Sequence, residues 1–300
     1  MAVDKKKIFT QFDWDSPNYS NRRGKQMVIY FTQSSPIDTR EHRKVVADVT
    51  NENSEFFQDT LDIDVIALDR FFRDRFGDKM ETRHFRNYRL NEANDELAKL
   101  NDEGWNYDSF FFILLTYCKK KYPTNEIEIQ FQDQFVHVDY VFNQVKTMES
   151  LAFKPKIFII QADDRGILRP DMFAKALPEH IEVRKVPTDA DRLMIMSTIP
   201  QELSALIDAE FEARERQQNP DRGVQPMPSG MVIKNSVLIK ALVKVLEDHI
   251  LRDEHLLRLT PRIVGEVDKL IRPLQESERY KSYEIPLPLV TSTLTRKMFL

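Results

Sequence analysis

Residues 154–163 read Lys-Pro-Lys-Ile-Phe-Ile-Ile-Gln-Ala-Asp, so that a short apolar run ends in polar residues. A continuous run of this length, rich in Ile and Phe, is typical of a strand that is covered by helices on both faces. In open α/β sheets, ligands and catalytic groups lie beyond the carboxyl ends of such strands. The stretch therefore predicts a central strand over Ile157–Ile160, with a candidate site at Gln161 and Asp163.

Similar apolar runs occur on both sides of this stretch, at Met27–Phe31, Phe110–Leu115 and Leu193–Met196. Amphipathic stretches with helical spacing separate them and follow them. These are Asp62–Phe76 with Asp62 as N-cap, Asn91–Leu100, Asp139–Leu151, Asn235–Leu251, and Thr260–Ile271 with Pro261 in its first turn. Strands alternating with helices predict an α/β fold whose central sheet is mostly parallel, with helices on both faces.

The C-terminal stretch Leu287–Phe299 is β-branched and extended in character. Pro286 and Pro288 restrict it to an edge position, because proline cannot donate to a sheet ladder. Glu212–Ser229 is polar and contains Pro220 and Gly223, which predicts a loop.

Composition excludes several classes of protein. The 300 residues include only seven glycines, and these lack the spacing of a dinucleotide-binding or phosphate-binding loop. Cys118 is the one cysteine, which excludes a disulfide framework and a multi-cysteine zinc site. The formal net charge of −4 argues against nucleic-acid binding. The N-terminus lacks the apolar core of a signal peptide, and Phe110–Leu115 is too short to span a bilayer. We expect a cytoplasmic protein with no membrane, cofactor or metal.

A cysteine in place of Asp163 would complete the Gln-Ala-Cys nucleophile signature of the caspases, and the chain resembles that family over residues 25–300. Further matching stretches follow in family order. They are Asp62-Ile63-Asp64 with Leu68 and Phe72, Phe111–Thr116, Lys185-Val186-Pro187, Ser197-Thr198-Ile199-Pro200, Ser236–Leu246 and Pro288–Phe299. The resemblance implies a caspase-like three-layer sandwich whose C-terminal strand is antiparallel to the rest.

The resemblance also implies a division of the chain. Residues 1–24 form a short N-terminal extension and 25–300 a single caspase-like domain. Within it, 25–166 resemble the large subunit, 167–184 the linker, and 185–300 the small subunit with a loop insertion at 207–231. Caspase zymogens are cut after aspartates in the linker, and Asp171 is the candidate processing site here.

The catalytic pair of the family is missing. The resemblance places Tyr117 at the catalytic histidine, roughly 50 residues before Asp163 at the cysteine. Caspase chemistry needs a thiolate nucleophile and a base that titrates near neutral pH. A carboxylate is a poor nucleophile towards amides, and a phenol with an ordinary pKa of about 10 does not exchange protons at pH 7. The resemblance therefore implies no catalytic residues and no peptidase activity.

The pocket for the P1 aspartate is also degraded. Gln161 keeps the glutamine of the family motif, but Gln58 and Leu206 stand where the family has two arginines. Charge-assisted guanidinium–carboxylate pairs are the strong part of such a pocket, so we expect weak binding of acidic ligands. Cys118 and Gln201 occupy two further positions where the family has glycine. Arg165 occupies a third, the glycine that follows the Gln-Ala-Cys signature, unless this glycine is displaced by one residue to Gly166.

In the family, the C-terminal strand pairs with its mate across a two-fold axis. The matching strand offers Leu289, Val290, Thr291, Thr293, Leu294 and Met298 as a dimer interface. The resemblance thus implies a pseudoprotease that regulates apoptosis by forming a heterodimer with an active caspase, as activator or decoy, or a homodimer. Two alternatives stay open: a cryptic hydrolase that uses a relocated nucleophile, with Cys118 as candidate, and a caspase-independent interaction scaffold that acts through Glu212–Ser229.

Overall fold

A computed structural model describes residues 16–19, 24–36, 60–121, 124, 126–168, 190–218, 235–248, 254–280 and 282–300. The strands in this part of the chain are β1 (Gln26–Thr32), β2 (Met80–Arg86), β3 (Ser109–Lys121), β4 (Glu126–Gln130), β5 (Phe135–His137), β6 (Lys156–Asp163), β7 (Arg192–Ser197) and β8 (Leu289–Ser292). The helices are α1 (Thr60–Phe76), α2 (Leu90–Glu103), α3 (Asp139–Lys146), α4 (Glu202–Gln218), α5 (Val237–Glu247) and α6 (Leu256–Glu276).

The central sheet has the strand order β2-β1-β3-β6-β7-β8. Its neighbours are parallel except for β8, which runs antiparallel to β7. The four predicted apolar strands are β1, β3, β6 and β7, and they form the interior of this sheet. The predicted α/β fold, with a mostly parallel sheet and an antiparallel C-terminal strand, is confirmed.

Successive side chains along a strand point to opposite faces of the sheet, so the sheet has two apolar faces. Even-numbered residues of β3 such as Phe110 and Phe112 pack with α2 and α3, whereas odd-numbered residues such as Phe111 and Ile113 pack with α1, α5 and α6. A third apolar cluster lies among α4, α5 and α6. Every residue of β1, β6 and β7 is buried, because helices cover both faces.

The predicted helices are present, but their bounds differ. Helix α1 begins at Thr60, so Asp62 lies inside it and is not the N-cap. Helix α6 begins at Leu256, which places Pro261 in its second turn and not in its first. Helix α3 ends at Lys146, and Glu149–Leu151 forms a separate 3-10 turn.

One prediction at the polar segments was wrong, and three strands were missed. Residues 207–218 of the expected 207–231 loop belong to α4, because Ala, Glu, Arg and Gln are good helix formers and the turn residues begin only after Gln218. Residues 219–231 lie outside the described residues. Strands β2, β4 and β5 were not predicted; β4 and β5 form a hairpin on the carboxyl end of β3.

The C-terminal strand is shorter than expected. Strand β8 covers four residues, from Leu289 to Ser292, and pairs with Met196 through Leu193 of β7. The rest of the predicted strand leaves this ladder: Met298 is only 1% exposed and packs with α1, α5 and α6 in the second apolar cluster. Met298 therefore belongs to the core of its own chain and is not available to a dimer partner. None of the described helices is both long enough and apolar enough to cross a membrane.

Candidate functional site

The structure brings together, at the carboxyl end of the sheet, the two residues that the resemblance sets at the catalytic pair. Strands β3 and β6 are parallel, and their register sets Tyr117 directly opposite Asp163. Both side chains are buried, with 4% and 3% exposed. Local sequence explains this placement, since each residue ends an apolar run that the flanking helices cover.

The Asp163 carboxylate accepts two hydrogen bonds. Gln161 Nε2 donates to Asp163 Oδ1 over 2.7 Å, and the main-chain N–H of Gln201 donates to Oδ2 over 3.1 Å. Burial raises the pKa of Asp163 to about 8, and the nearby charge of Glu202 adds to the rise. The two hydrogen bonds and Arg165 act in the opposite direction because they favour the ionised form.

Arg165 fills the space beside this pair. Its guanidinium carbon lies 5.1 Å from the centre of the Tyr117 ring, and its Nη2 donates to Glu202 Oε1 over 3.1 Å. The Arg165 side chain is 4% exposed, whereas that of Glu202 is 25% exposed. Burial raises the pKa of Tyr117 well above its usual range, so the phenol stays protonated at neutral pH.

Cys118, the residue after Tyr117, faces the same strand β6. Its thiol donates to the carbonyl oxygen of Ala162, with Sγ 3.0 Å away, and the residue is 3% exposed. Burial raises the pKa of Cys118, and the charges of Asp164 and Asp163 add to that rise. A buried thiol with a raised pKa lacks the thiolate character of a reactive cysteine.

The histidines that the structure describes contact other groups. His84 stacks on Tyr30 with ring centres 4.6 Å apart, and His137 Nδ1 lies 3.6 Å from Asp139. His255 makes an edge contact with Phe299. Among the described residues, Cys118 therefore has no imidazole base beside it, and no group of three His, Cys, Asp or Glu side chains is arranged to hold a metal.

Two of the three predicted pocket residues, Gln161 and Leu206, lie in the part of the chain that the structure describes, and their side chains contact different groups. Gln161 is fully buried, and its Nε2 also donates to the carbonyl of Ile199 over 2.6 Å. Leu206 lies on α4 and packs against the third apolar cluster, at the interface with α5 and α6. Gln58 lies outside the described residues, as does the candidate processing residue Asp171.

The residues that sequence reasoning missed are those that fill the site. Arg165 had been assigned only to a lost glycine position, and Glu202 had no role at all. The signal for Glu202 is its place as an acidic residue in the first turn of a helix that begins after Pro200. The turn from β7 into α4 reaches the same sheet edge as Asp163. Asp164, the neighbour of Asp163, accepts from the N–H of Gly166 and lies 3.7 Å from Lys120, so the two aspartates face different partners.

Most of the predicted interface residues lie on strand β8 or directly after it. Leu289, Val290 and Thr291 are half-buried members of β8, and Thr293 continues the pairing because its N–H donates to Arg192 over 2.7 Å. Leu294 follows, half-buried against the second apolar cluster. Strand β8 is the outermost strand on this side of the described sheet.

Comparisons with known proteins agree with this architecture. The structure of pro-sf-caspase-1 is similar with a TM-score of 0.63 at 17% identity, over 96% of this chain and 100% of the other. The crystal structure of caspase-1 from Spodoptera frugiperda gives a TM-score of 0.60 at 17% identity, over 96% and 94% of the two chains. At this identity the likeness establishes the fold alone. No curated protein sequence matches the chain.

A family model described as the caspase domain matches residues 53–299. This match includes β2 through β8 and the residues Tyr117 and Asp163. Because it spans most of the sequence, the chain belongs to the caspase family.

Proposed function

We propose that this chain is a catalytically inactive, cytoplasmic caspase homologue that regulates apoptosis by dimerising with an active caspase. The observation that carries the proposal is the site itself. A buried carboxyl, Asp163, and a buried phenol, Tyr117, stand opposite each other where the family has its nucleophile and base. The chain has lost the catalytic pair, while the fold and its C-terminal edge strand are retained.

The contacts in the site support inactivity beyond the two substitutions. Asp163 is tied to Gln161 and to the main chain of Gln201, so its oxygens face protein donors. Arg165 and Glu202 occupy the adjacent space as an ion pair. Relocation of the nucleophile to Cys118 is disfavoured because that thiol is buried and donates to a main-chain carbonyl.

The edge of the sheet supports the dimerisation step. In an antiparallel pair of strands, every second residue forms its main-chain hydrogen bonds with the neighbouring strand. Thr293 is one of these residues, because its N–H donates to Arg192 and its C=O accepts from Asp191. The main-chain groups of Val290 and Ser292 therefore point away from β7. Leu287, just before the strand, is 48% exposed. An edge with outward main-chain groups and apolar neighbours is a template for strand pairing with a second chain.

The test is co-expression with each caspase of the same organism, followed by size-exclusion chromatography and a peptide-cleavage assay. We expect a 1:1 complex and a changed cleavage rate in the partner; a rise identifies an activator and a fall a decoy. Ser292→Pro removes the outward N–H that a second strand needs, whereas the matched Ser292→Ala keeps it. We expect the complex to be lost with Ser292→Pro alone.

Two results would count against the proposal. One is the absence of any complex with every caspase tested, together with unchanged cleavage rates. The other is peptidase activity in the purified chain itself that remains after removal of contaminating proteases; loss of that activity in Cys118→Ser would identify Cys118 as a relocated nucleophile. Self-association without a caspase complex would identify a homodimer and overturn the regulatory role.

A further inference from the structure

The N-terminal segment 16–19 lies along the C-terminal segment of the chain. The N–H of Lys297 donates to the carbonyl of Pro17 over 2.9 Å, and the N–H of Tyr19 donates back to the carbonyl of Lys297 over 3.0 Å. Asn18 and Lys297 thereby form a parallel bridge. Residues that are far apart in the sequence are thus joined by main-chain hydrogen bonds.

The side chain of Tyr19 adds hydrogen bonds to this contact between the two segments. Its hydroxyl donates to Asp191 Oδ1 over 2.5 Å and accepts from the N–H of Thr295 over 3.1 Å. The hydroxyl of Thr295 donates to the same oxygen of Asp191, also over 2.5 Å. The Tyr19 ring is 7% exposed and packs in the second apolar cluster. One tyrosine therefore bonds to the residue before β7 and to the segment after β8.

Asp191 is held in an unusual backbone conformation at this junction. Its φ of 63° lies in the left-handed region, which is uncommon for residues other than glycine and which Asp and Asn adopt more readily than most. Its carbonyl accepts from the N–H of Lys156 over 2.8 Å, and its own N–H donates to the carbonyl of Thr293 over 3.0 Å. Asp191 thus connects β6, β7 and the end of β8, and its buried carboxylate is the group that Tyr19 contacts.

We propose that residues 16–19 form a strap, closed by the Tyr19 hydroxyl, that holds the C-terminal segment in the register that presents β8 at the sheet edge. The strap itself follows from these contacts, while its effect on partner binding rests on the proposed function. The β7–β8 register ends at Leu193 and Ser292, and the pairing continues through Arg192 and Thr293. The strap contacts Thr295 and Lys297, which follow this pairing in the sequence. Loss of the strap contacts therefore releases the C-terminal end of β8.

The test compares the full-length chain with Tyr19→Phe, which keeps the ring and removes only the hydroxyl. Residue-resolved amide exchange is measured at Thr295 and Lys297, with the Ile195 amide in β7 as internal reference. We expect exchange at both residues to accelerate about 10-fold, the effect of losing one hydrogen bond of ordinary strength, with Ile195 unchanged. The matched control is Asn18→Ala, an exposed residue of the same segment, and it should leave all three rates unchanged.

A second variant, Thr295→Val, removes the other donor to Asp191 Oδ1. Because both hydroxyls bond to one oxygen, we expect the effects of Tyr19→Phe and Thr295→Val on Lys297 exchange to be non-additive in the double variant. Unchanged exchange at Thr295 and Lys297 in Tyr19→Phe would overturn the strap.

The docking assay with an active caspase separates the strap from the proposed function. Faster exchange in Tyr19→Phe with an affinity for the caspase lowered several-fold supports the full proposal. Faster exchange with an unchanged affinity overturns the link to docking. If the unmodified chain binds no caspase, the proposed function fails, and the exchange rates alone decide whether the strap exists.

Discussion

Asp163 is a buried acid whose environment acts on its protonation in two directions. Two hydrogen-bond donors favour the carboxylate, whereas burial and the charge of Glu202 favour the neutral acid, and the second pair of effects dominates. A raised pKa means that the folded chain keeps a proton that the unfolded chain releases above pH 4. The stabilising contribution of Asp163 is therefore complete at low pH and is lost as the pH rises through about 8.

We predict that Asp163→Asn flattens the pH dependence of stability. One proton that only the folded chain retains lowers the free energy of unfolding by about 1.4 kcal/mol for each unit of rising pH. Between pH 6 and 8 the free energy of unfolding of the wild type should therefore fall by about 1–3 kcal/mol more than that of the variant. Urea unfolding at several pH values measures this difference. The exposed Asp95→Asn should keep the wild-type slope, and equal slopes for Asp163→Asn and wild type would refute the prediction.

Cys118 allows a direct test of the buried thiol. Because it is the only cysteine of the chain, any thiol signal comes from this position. We predict that an uncharged disulfide reagent at pH 8 reacts at least about 100-fold more slowly with the native chain than with the urea-unfolded chain, since the buried thiol stays protonated until the site opens. Rapid native labelling at neutral pH would instead support a relocated nucleophile.

At the level of helices, α6 contains Pro261, and a side-chain hydrogen bond replaces the main-chain hydrogen bond that this proline cannot form. Pro261 cannot donate to the carbonyl of Leu257, and the Thr260 hydroxyl bonds to that oxygen over 2.9 Å instead. We predict that Thr260→Val lowers the free energy of unfolding by about 1 kcal/mol in the wild type. In a Pro261→Ala background the restored N–H reaches Leu257, so Thr260→Val should cost clearly less. Urea unfolding of the four proteins measures the coupling, and equal costs in both backgrounds would contradict it.

The elements also show what the sequence can predict. The strands β1, β3, β6 and β7 are predicted from the sequence because each has a central run that is buried on both faces and is therefore continuously apolar. Strand β2 was missed because it lies at an edge, where most of its residues are half-exposed and Glu81, Arg83 and Arg86 interrupt any apolar run. The polar stretch 207–218 was assigned to a loop, although its residues are good helix formers.

The site was partly predictable for the same physical reason. Tyr117 and Asp163 end neighbouring apolar runs, and parallel strands bring such ends to one sheet edge. Gln161 and Arg165 act on Asp163 from nearby in the sequence, but the second donor, Gln201, and the charge that raises its pKa, Glu202, lie beyond the linker and strand β7. A contact between segments this distant leaves no periodic signal in the sequence.

On the scale of the whole molecule, the described residues before and after the predicted linker share one sheet and its apolar clusters. Strand β6 from the part before the linker pairs with β7 from the part after it along its length, from Lys156–Arg192 to Gln161–Ser197. The second apolar cluster likewise draws side chains from both parts. Asp64 on α1 adds a polar link, because its Oδ1 accepts from the N–H of Ser236 over 2.9 Å at the start of α5. Burial raises the pKa of Asp64 to about 6.

We predict that cutting the chain between these parts leaves them associated. A specific protease site inserted between Phe173 and Ala174 allows cleavage to completion, and the two fragments should then co-elute from a size-exclusion column in native buffer. The shared sheet and core should keep the dissociation constant below about 1 μM, equivalent to about 8 kcal/mol, because strand pairing and apolar burial do not depend on the linker. The uncut variant is the control. Separate elution of the fragments in native buffer would show that the linker, and not the shared sheet, holds the parts together.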